Sequence, residues 1–322
     1  MRTEPQPPEA AQPVLAQVVR SGLVESVHRG TAVVLDAAGR IQHAFGPIEL
    51  PIYGRSANKP LQGVAMVEFG LPFDGAELAV AVASHSAEQF HLDAVGRILA
   101  GAGFSTDDLQ CIIDPPYAPE VARLMWQAGG SPTRLTMNCS GKHAAMLVTC
   151  SLNGWDTGSY LDIRHPLTQH VTEVIARLTG ARTAHIGVDG CGAPAHALSV
   201  AALARGFSSI ARASVGSAEG RVADAMRMHP LFVGGTGRDD SVLMPCIPGL
   251  ICKEGAEGVH VAAMPDGTAV ALKIADGNPR ARLPVLIRLL ELGGVDVSHA
   301  EDLRRPPVLG GGRPVGDIRC VL

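Results

Sequence analysis

The sequence predicts an α+β protein, a largely antiparallel sheet flanked by helices, and three observations predict it. "TAVVLDAAGRIQHAFG" (31–46) holds two apolar runs around a turn at Ala37–Gly39, the pattern of a β-hairpin. "GVHVAAMPDGTAVALKIADG" (258–277) is a second hairpin with a Pro-Asp-Gly turn, its strands expected within 258–275. Between them most segments carry apolar residues at three- and four-residue spacing, the mark of helices. The simplest arrangement pairs the two hairpins in one sheet and packs the helical middle alongside.

Taken in order, "MRTEPQPPEAAQP" is polar and proline-rich and is expected to be a disordered tail over residues 1–13. No linker composition interrupts residues 14–322, which are expected to form a single catalytic unit. After the first hairpin, "HLDAVGRILAGAG", "PEVARLMWQAGG", "SGKHAAMLVTCSLNG" and "HPLTQHVTEVIARLTG" read as helices, each ending in glycine. "AHIGVDGCG" reads as a short strand entering a glycine-rich loop. "ALSVAALARGFSSIA" and "GRVADAMRMHP" are again helical, and "PRARLPVLIRLLELGG" follows the second hairpin as a closing helix.

Composition narrows the function. With 322 residues, 46% hydrophobic and 18% charged, the chain can bury a substantial core. A net charge of −4 with no basic stripe or interleaved aromatics argues against nucleic acid. No apolar run approaches the roughly 20 residues of a membrane span, and the N-terminus lacks the apolar stretch of a signal peptide. Seven cysteines without such a signal point to reduced thiols and a cytoplasmic location. Cys111, Cys150 and Cys320 read as small buried hydrophobes, and Cys246 and Cys252 as core.

Lysine usage is the sharpest local signal. Of 27 basic residues only Lys59, Lys142, Lys253 and Lys273 are lysine. Lysine, unlike arginine, can give up its proton near neutral pH and act as a base or a ligand. In "YGRSANKPLQ", Ser56 and Lys59 stand at i and i+3, on one face of a helix. A neutral amine there can take the serine proton, as in the Ser-x-x-Lys of penicillin-binding enzymes and β-lactamases. The plainer reading makes Ser56 a helix N-cap and Lys59 a solvated charge. Lys273, between Leu272 and Ile274 on a strand, is driven toward neutrality by burial. Its triplet Lys273-Ile274-Ala275 does not match the Lys-Thr-Gly of those enzymes. Ser84 in "AVASHSAEQFH" is a second candidate hydroxyl, or the cap of the helix that follows.

"MNCSGKHAAM" and "GVDGCGAPAH" place Cys139 and Cys191 in glycine-containing loops, with Lys142 and His143 beside the first. Two thiolates and a nitrogen suit zinc, with His143 the default nitrogen ligand. Lys142 could ligate only as the neutral amine. Isolated histidines such as His28 and His299 read as surface or satisfied core.

Taken together, "YGRSANKPLQ", "VASHSAEQFHLDAV", "MNCSGKHAAML", "DGCGAPAHALS", "EGAEGV" and "ALKIADG" resemble the rhizobial-type asparaginase family, asparaginase II. The resemblance spans about residue 14 to the C-terminus. It implies a β-lactamase/glutaminase-like fold, hydrolysis of L-asparagine to L-aspartate and ammonia, a homodimer, and zinc near the active site. It places two serine–lysine pairs on Ser56–Lys59 and Ser84–Lys273, and the zinc ligands on Cys139, Lys142 and Cys191, so preferring Lys142 to His143. Arg55, His85, His143 and Asp189 become candidate substrate contacts. Two departures stand out. Pro60 follows Lys59, which a first helical turn tolerates, and Glu254 adds an acid to "KEGAEG".

The mechanism this implies is attack by Ser56 on the side-chain amide with Lys59 as base, ammonia release, and hydrolysis of the aspartyl ester, with Ser84 and Lys273 relaying protons. The alternatives are a zinc-bound hydroxide as the attacking group and a non-catalytic module that binds zinc or an amino acid.

Overall fold

The computed structural model of the protein describes residues 12–322. Except for Gln12 and Pro13, the tail expected over 1–13 lies outside the described residues. Four strands come first: β1 (Val14–Arg20), β2 (Leu23–Leu35), β3 (Ile41–Phe45) and β4 (Pro51–Tyr53). Six helices follow: α1 (Lys59–Glu68), α2 (Gly75–Ala81), α3 (Gln89–Gly101), α4 (Pro119–Gln127), α5 (Ser140–Leu152) and α6 (Pro166–Thr179). Strands β5 (His185–Val188) and β6 (Pro194–Ser199) precede helices α7 (Val200–Ala211), α8 (Ala218–Met228), α9 (Pro230–Val233) and α10 (Asp239–Cys246). The chain ends with β7 (Ile251–Gly255), β8 (Val259–Ala263), β9 (Ala269–Ile274), α11 (Arg282–Leu292), β10 (Pro307–Gly310) and β11 (Arg313–Cys320).

The two hairpins foreseen from the sequence meet in one sheet. Its strands run β10-β11-β1-β2-β9-β8-β7, and β3 lies along the second half of β2. Neighbours are antiparallel, and β2 joins β9 in register from Gly30 opposite Ile274 to Leu35 opposite Ala269. This is the α+β architecture, with a largely antiparallel sheet flanked by helices. The order also explains why β1 escaped detection. Its turn to β2 is only Ser21–Gly22, both at positive φ, and the first half of β2 is largely exposed, so no apolar alternation marks it.

Both faces of the central strands are covered. Every residue of β7 and β8 is buried, with α7 and α11 packed on β2, β8 and β9 from the two sides. The helix expected after the second hairpin is thus an inner layer; it does not close the chain, because β10 and β11 follow and extend the sheet beyond β1. Residues Pro194–Ser199, partly read as helix from "ALSVAALARGFSSIA", form β6 in a small sheet β4-β6-β5. The helical reading begins correctly at Val200, where the Ser199 hydroxyl caps the helix by accepting from Ala202 N–H. Among the described residues, no helix is long and apolar enough to cross a membrane.

Gly30 marks the bend of β2 where it leaves β1 and joins β9. A Cβ there would lie 2.2 Å from the Lys273 carbonyl oxygen and 2.8 Å from Leu15 Cδ1, so only a bare Cα lets the two strands approach. Gly30→Ala is expected to lose about 1–3 kcal/mol by overpacking. Gly96→Ala, in open space within α3, is expected to gain about 0.5–1 kcal/mol. Urea unfolding of the two variants checks both signs.

Candidate active site

The candidate centre lies where β7, the turn entering α1, and the α2–α3 and α10 loops converge. Arg55 opens the 3₁₀ turn Arg55–Asn58 at φ +52°, a conformation that costs a non-glycine residue about 1–3 kcal/mol. An ion pair helps hold it there: Arg55 Nε donates to Asp189 Oδ1 at 2.7 Å. The turn presents Ser56 to a cavity of about 260 Å³ that Ser84 also lines. Pro60 sits in the first turn of α1, where it displaces no helical hydrogen bond.

Lys59 is buried, 1% exposed. Its amine donates to the Ala83 carbonyl oxygen and, at 3.0 Å, to Ser84 Oγ; it makes no hydrogen bond to the Ser56 hydroxyl. The two serines and Lys59 are therefore brought together, but the lysine serves Ser84. The expected Ser84–Lys273 pairing is not formed. Lys273 is half-buried at the end of β9 and donates to the carbonyl oxygens of Glu257 and, at 2.9 Å, Ile274. Burial lowers its pKa as the sequence suggested, without bringing it to a serine.

The lysine that shares the interior with Lys59 is Lys253, to which none of the sequence motifs above assigns a role. It is fully buried on β7 and donates to Asp240 Oδ2 at 2.5 Å and to the Glu254 carbonyl at 3.2 Å. Asp240 Oδ1 accepts from Glu254 N–H at 2.8 Å and lies 3.1 Å from His260 Nε2. Burial, aided by repulsion from Lys59, brings the Lys253 pKa down to about 8 against the pull of Asp240. Burial opposes the charge on Asp240 as well, but Lys253 and His260 outweigh it and hold that carboxyl well below the usual range. Cys252 joins Asp240 and His260 within ligand distance of one another, yet the Lys253 ammonium already neutralises the carboxylate there. Lys253-Glu254-Gly255 differs by one residue from Lys-Thr-Gly, the signal that could have found it. Gly255 makes the approach possible: a Cβ would meet the Gly54 carbonyl at 2.4 Å.

Two residues expected to touch substrate face elsewhere. His85 is fully buried; its Nδ1 accepts from Ala87 N–H at 3.2 Å, so Nε2 carries the proton and donates to Ser140 Oγ at 2.8 Å. Desolvation first, then nearby positive groups, depress its pKa well below the usual value. It ties the α2–α3 loop to α5. His143 is likewise fully buried, with Nδ1 2.9 Å from the Tyr160 hydroxyl and Nε2 lacking a hydrogen-bond partner on the side of Cys191. Arg55 and Asp189 do line the cavity.

The thiol cluster forms one end of it. Lys142 Nζ donates to Cys191 Sγ at 3.3 Å. A hydrogen bond from Cys139, then Lys142 and His143, pull the Cys191 thiol far below its ordinary pKa despite burial. That same bond and burial raise Cys139. Burial disfavours the Lys142 ammonium, but Cys191, Cys139 and Asp189 more than offset it and raise its pKa. Arg238, Arg282 and Glu254 also line the cavity; of these the sequence motifs singled out only Glu254.

The match to the L-asparaginase II family model covers residues 16–320. The protein belongs to the L-asparaginase II family. It is accordingly an amidohydrolase enzyme. No curated protein matches the chain in sequence. Among solved structures, Mglu in its native form is 16% identical over 88% of this chain and 68% of its own, with a TM-score of 0.46. A β-lactamase from Mycobacterium bovis is 16% identical over 85% of this chain and 95% of its own, with a TM-score of 0.42. EstCE1, a hydrolase with promiscuous acyltransferase activity, is 11% identical over 90% and 92%, with a TM-score of 0.39.

Asp240→Asn strands the Lys253 ammonium without its carboxylate, and a loss of about 3–5 kcal/mol near pH 6 is expected. Without Asp240 the Lys253 pKa falls further below 8, while the unfolded chain keeps about 10.4. Between the two values the unfolded chain binds more protons, so stability rises with pH. The deficit of the variant against the parent should therefore narrow as pH climbs toward 8; a deficit constant across urea titrations at pH 5 to 8 would remove Lys253 as its cause.

Proposed function

We propose that this amidohydrolase cleaves the side-chain amide of L-asparagine to L-aspartate and ammonia. The observation that carries the reading is the 3.0 Å hydrogen bond from buried Lys59 to Ser84 Oγ in the cavity that Ser56 also lines. Ser56 Oγ attacks the amide carbon and the Lys59–Ser84 pair takes its proton. The same pair returns the proton to the amide nitrogen as the C–N bond breaks and ammonia leaves. Water then adds to the aspartyl ester, giving its proton to the pair, and L-aspartate departs as Ser56 regains its hydrogen. Lys253 lies close enough to Lys59 for the Lys59 charge to help lower the Lys253 pKa. The side-by-side Arg55–Asp189 pair suits a zwitterion, guanidinium to the α-carboxylate and carboxylate to the α-ammonium.

Zinc fits the donor set at the other end: Cys139, Lys142 and Cys191 would hold it, two soft sulfurs and a nitrogen already in contact, with orphaned His143 Nε2 beside them. When bound, zinc supplies a fixed positive charge beside the cavity. Homodimer assembly and a cytoplasmic location complete the reading.

Three measurements test it. Ser56→Ala and Lys59→Arg are expected to cut kcat for asparagine, the latter by ~10²–10⁴-fold, because arginine keeps the charge and loses the titratable amine. Mass spectrometry of enzyme quenched during turnover should show aspartyl ester on Ser56; ester on Ser84 instead would exchange the roles of the two serines. Metal analysis should find zinc in the purified parent and little in Cys191→Ser, whereas equal zinc in both would move the metal elsewhere.

A further inference from the structure

The Glu254 side chain is only 5% exposed, and its two oxygens go to different guanidiniums. One is ion-paired with Arg238 Nη2 and the other accepts from Arg282 Nη2 at 2.5 Å. Neither arginine depends on Glu254 for its place. The Arg238 guanidinium lies 4.0 Å above the Tyr117 ring centre. Arg282 donates to the Gly255 carbonyl at 3.1 Å and to Asp239 Oδ2 at 3.0 Å. All three charged residues and Tyr117 line the cavity that holds Ser56 and Ser84. Arg238 Nη1 and Arg282 Nε, both buried, have no acceptor at all, so the pair carries more donors than Glu254 satisfies.

Two guanidiniums converging from separate supports on one carboxylate form a carboxylate receptor. Here the occupant is built into the chain at the middle position of the Lys253-Glu254-Gly255 strand end. We propose that Glu254 is an internal carboxylate that keeps this two-arginine receptor filled, and that it thereby determines specificity by denying a second acidic group of a substrate, product or inhibitor a place in the active-site cavity. The inference rests on the reading of this cavity as the active site. The ligand class concerned is small mono- and dicarboxylates. An amide substrate with one carboxylate uses Arg55 and has no need of the receptor, whereas a dicarboxylate would need both. The acidic product therefore meets a cavity with one cationic anchor and no second.

The test removes the internal carboxylate and offers an external one. Glu254→Ala is expected to melt at a lower temperature than the parent. Sodium acetate should raise the melting temperature of the variant more than sodium chloride at equal ionic strength, with no such difference in the parent. Succinate should inhibit asparagine hydrolysis by Glu254→Ala ~10–100-fold more tightly than it inhibits the parent, the range of a charge-assisted hydrogen bond. Equal effects of acetate and chloride, with unchanged succinate inhibition, overturn the proposal. Acetate-specific stabilisation without any change in inhibition keeps the receptor and instead sinks the assignment of this cavity to catalysis. If Glu254→Ala does not fold, succinate titration of the near-isosteric Glu254→Gln by calorimetry replaces it: tighter binding than to the parent supports the proposal, and equal binding overturns it.

Discussion

Two lysine side chains buried in one interior set the terms for this structure. A buried ammonium is costly unless oxygen acceptors surround it, and the charge of Lys59 raises that cost for Lys253. The chain solves the problem separately for each. Lys59 draws in the Ala83 carbonyl and Ser84 Oγ, which requires the α2–α3 loop to fold over the start of α1. Lys253 is satisfied by Asp240 from α10 and by the carbonyl of its own neighbour. Asp240 also receives Glu254 N–H, so the carboxylate that neutralises Lys253 orders the end of β7 as well. The serine-bearing turn and loop are thus held to the sheet by polar contacts around the two amines, while the apolar layers of α7 and α11 hold the sheet itself.

The cavity above them has walls whose charges are already paired. Arg55 faces Asp189, and Arg238 and Arg282 face Glu254. Pre-paired charges cost less to keep in a partly dry cleft than free ones, and they do not need to reorganise when substrate arrives. The pairs differ in consequence. Arg55 and Asp189 are 27% and 14% exposed at their side chains, open enough to exchange with a zwitterion. Glu254 and Arg282, at 5% and 9%, are closed. Selectivity in such a cleft comes as much from which cation is withheld as from which is offered.

Much of the frame could be read from periodicity, because the buried strands β8 and β9 and helices α3, α5, α6 and α11 carry dense apolar runs. The strands β1, β10 and β11 could not. β10 and β11 bury few residues, and β1 buries its residues in adjacent pairs, so none of the three shows a clean alternation. Of the residues the motifs mark, Ser56, Ser84, Cys139 and Cys191 line one cavity, with Lys59 bonded to Ser84 and Lys142 to Cys191. Which lysine pairs with which serine was beyond the motifs. That pairing depends on strand order: β7, two strands away from β9 in the sheet, is the one that abuts the Ser56 turn. Flanking hydrophobicity points to Lys273, whereas the glycine two residues after Lys253 marks the strand end that approaches the Gly54 carbonyl. His85 and His143 were misplaced for a related reason. Adjacency in sequence to a site residue does not give direction, and both rings turn inward to bind Ser140 and Tyr160.

The division between lysine and arginine gains a physical explanation from these placements. Lys59, Lys142 and Lys253 are all at most 2% exposed, and each finds its partners within one small pocket. A guanidinium with five donors could not be satisfied in any of those pockets; even on the cavity wall Arg238 and Arg282 each leave a nitrogen without an acceptor. The amine needs fewer partners, so lysine persists where burial is complete and arginine elsewhere. Lys273 tests the rule at its margin. It is only half-buried, and its amine closes the turn at Glu257, a residue held at φ +59°, by gathering two carbonyl oxygens. Its place follows from the same acceptor geometry without any serine nearby, which is why scarcity of lysine could point to the interior but not, by itself, to the chemistry.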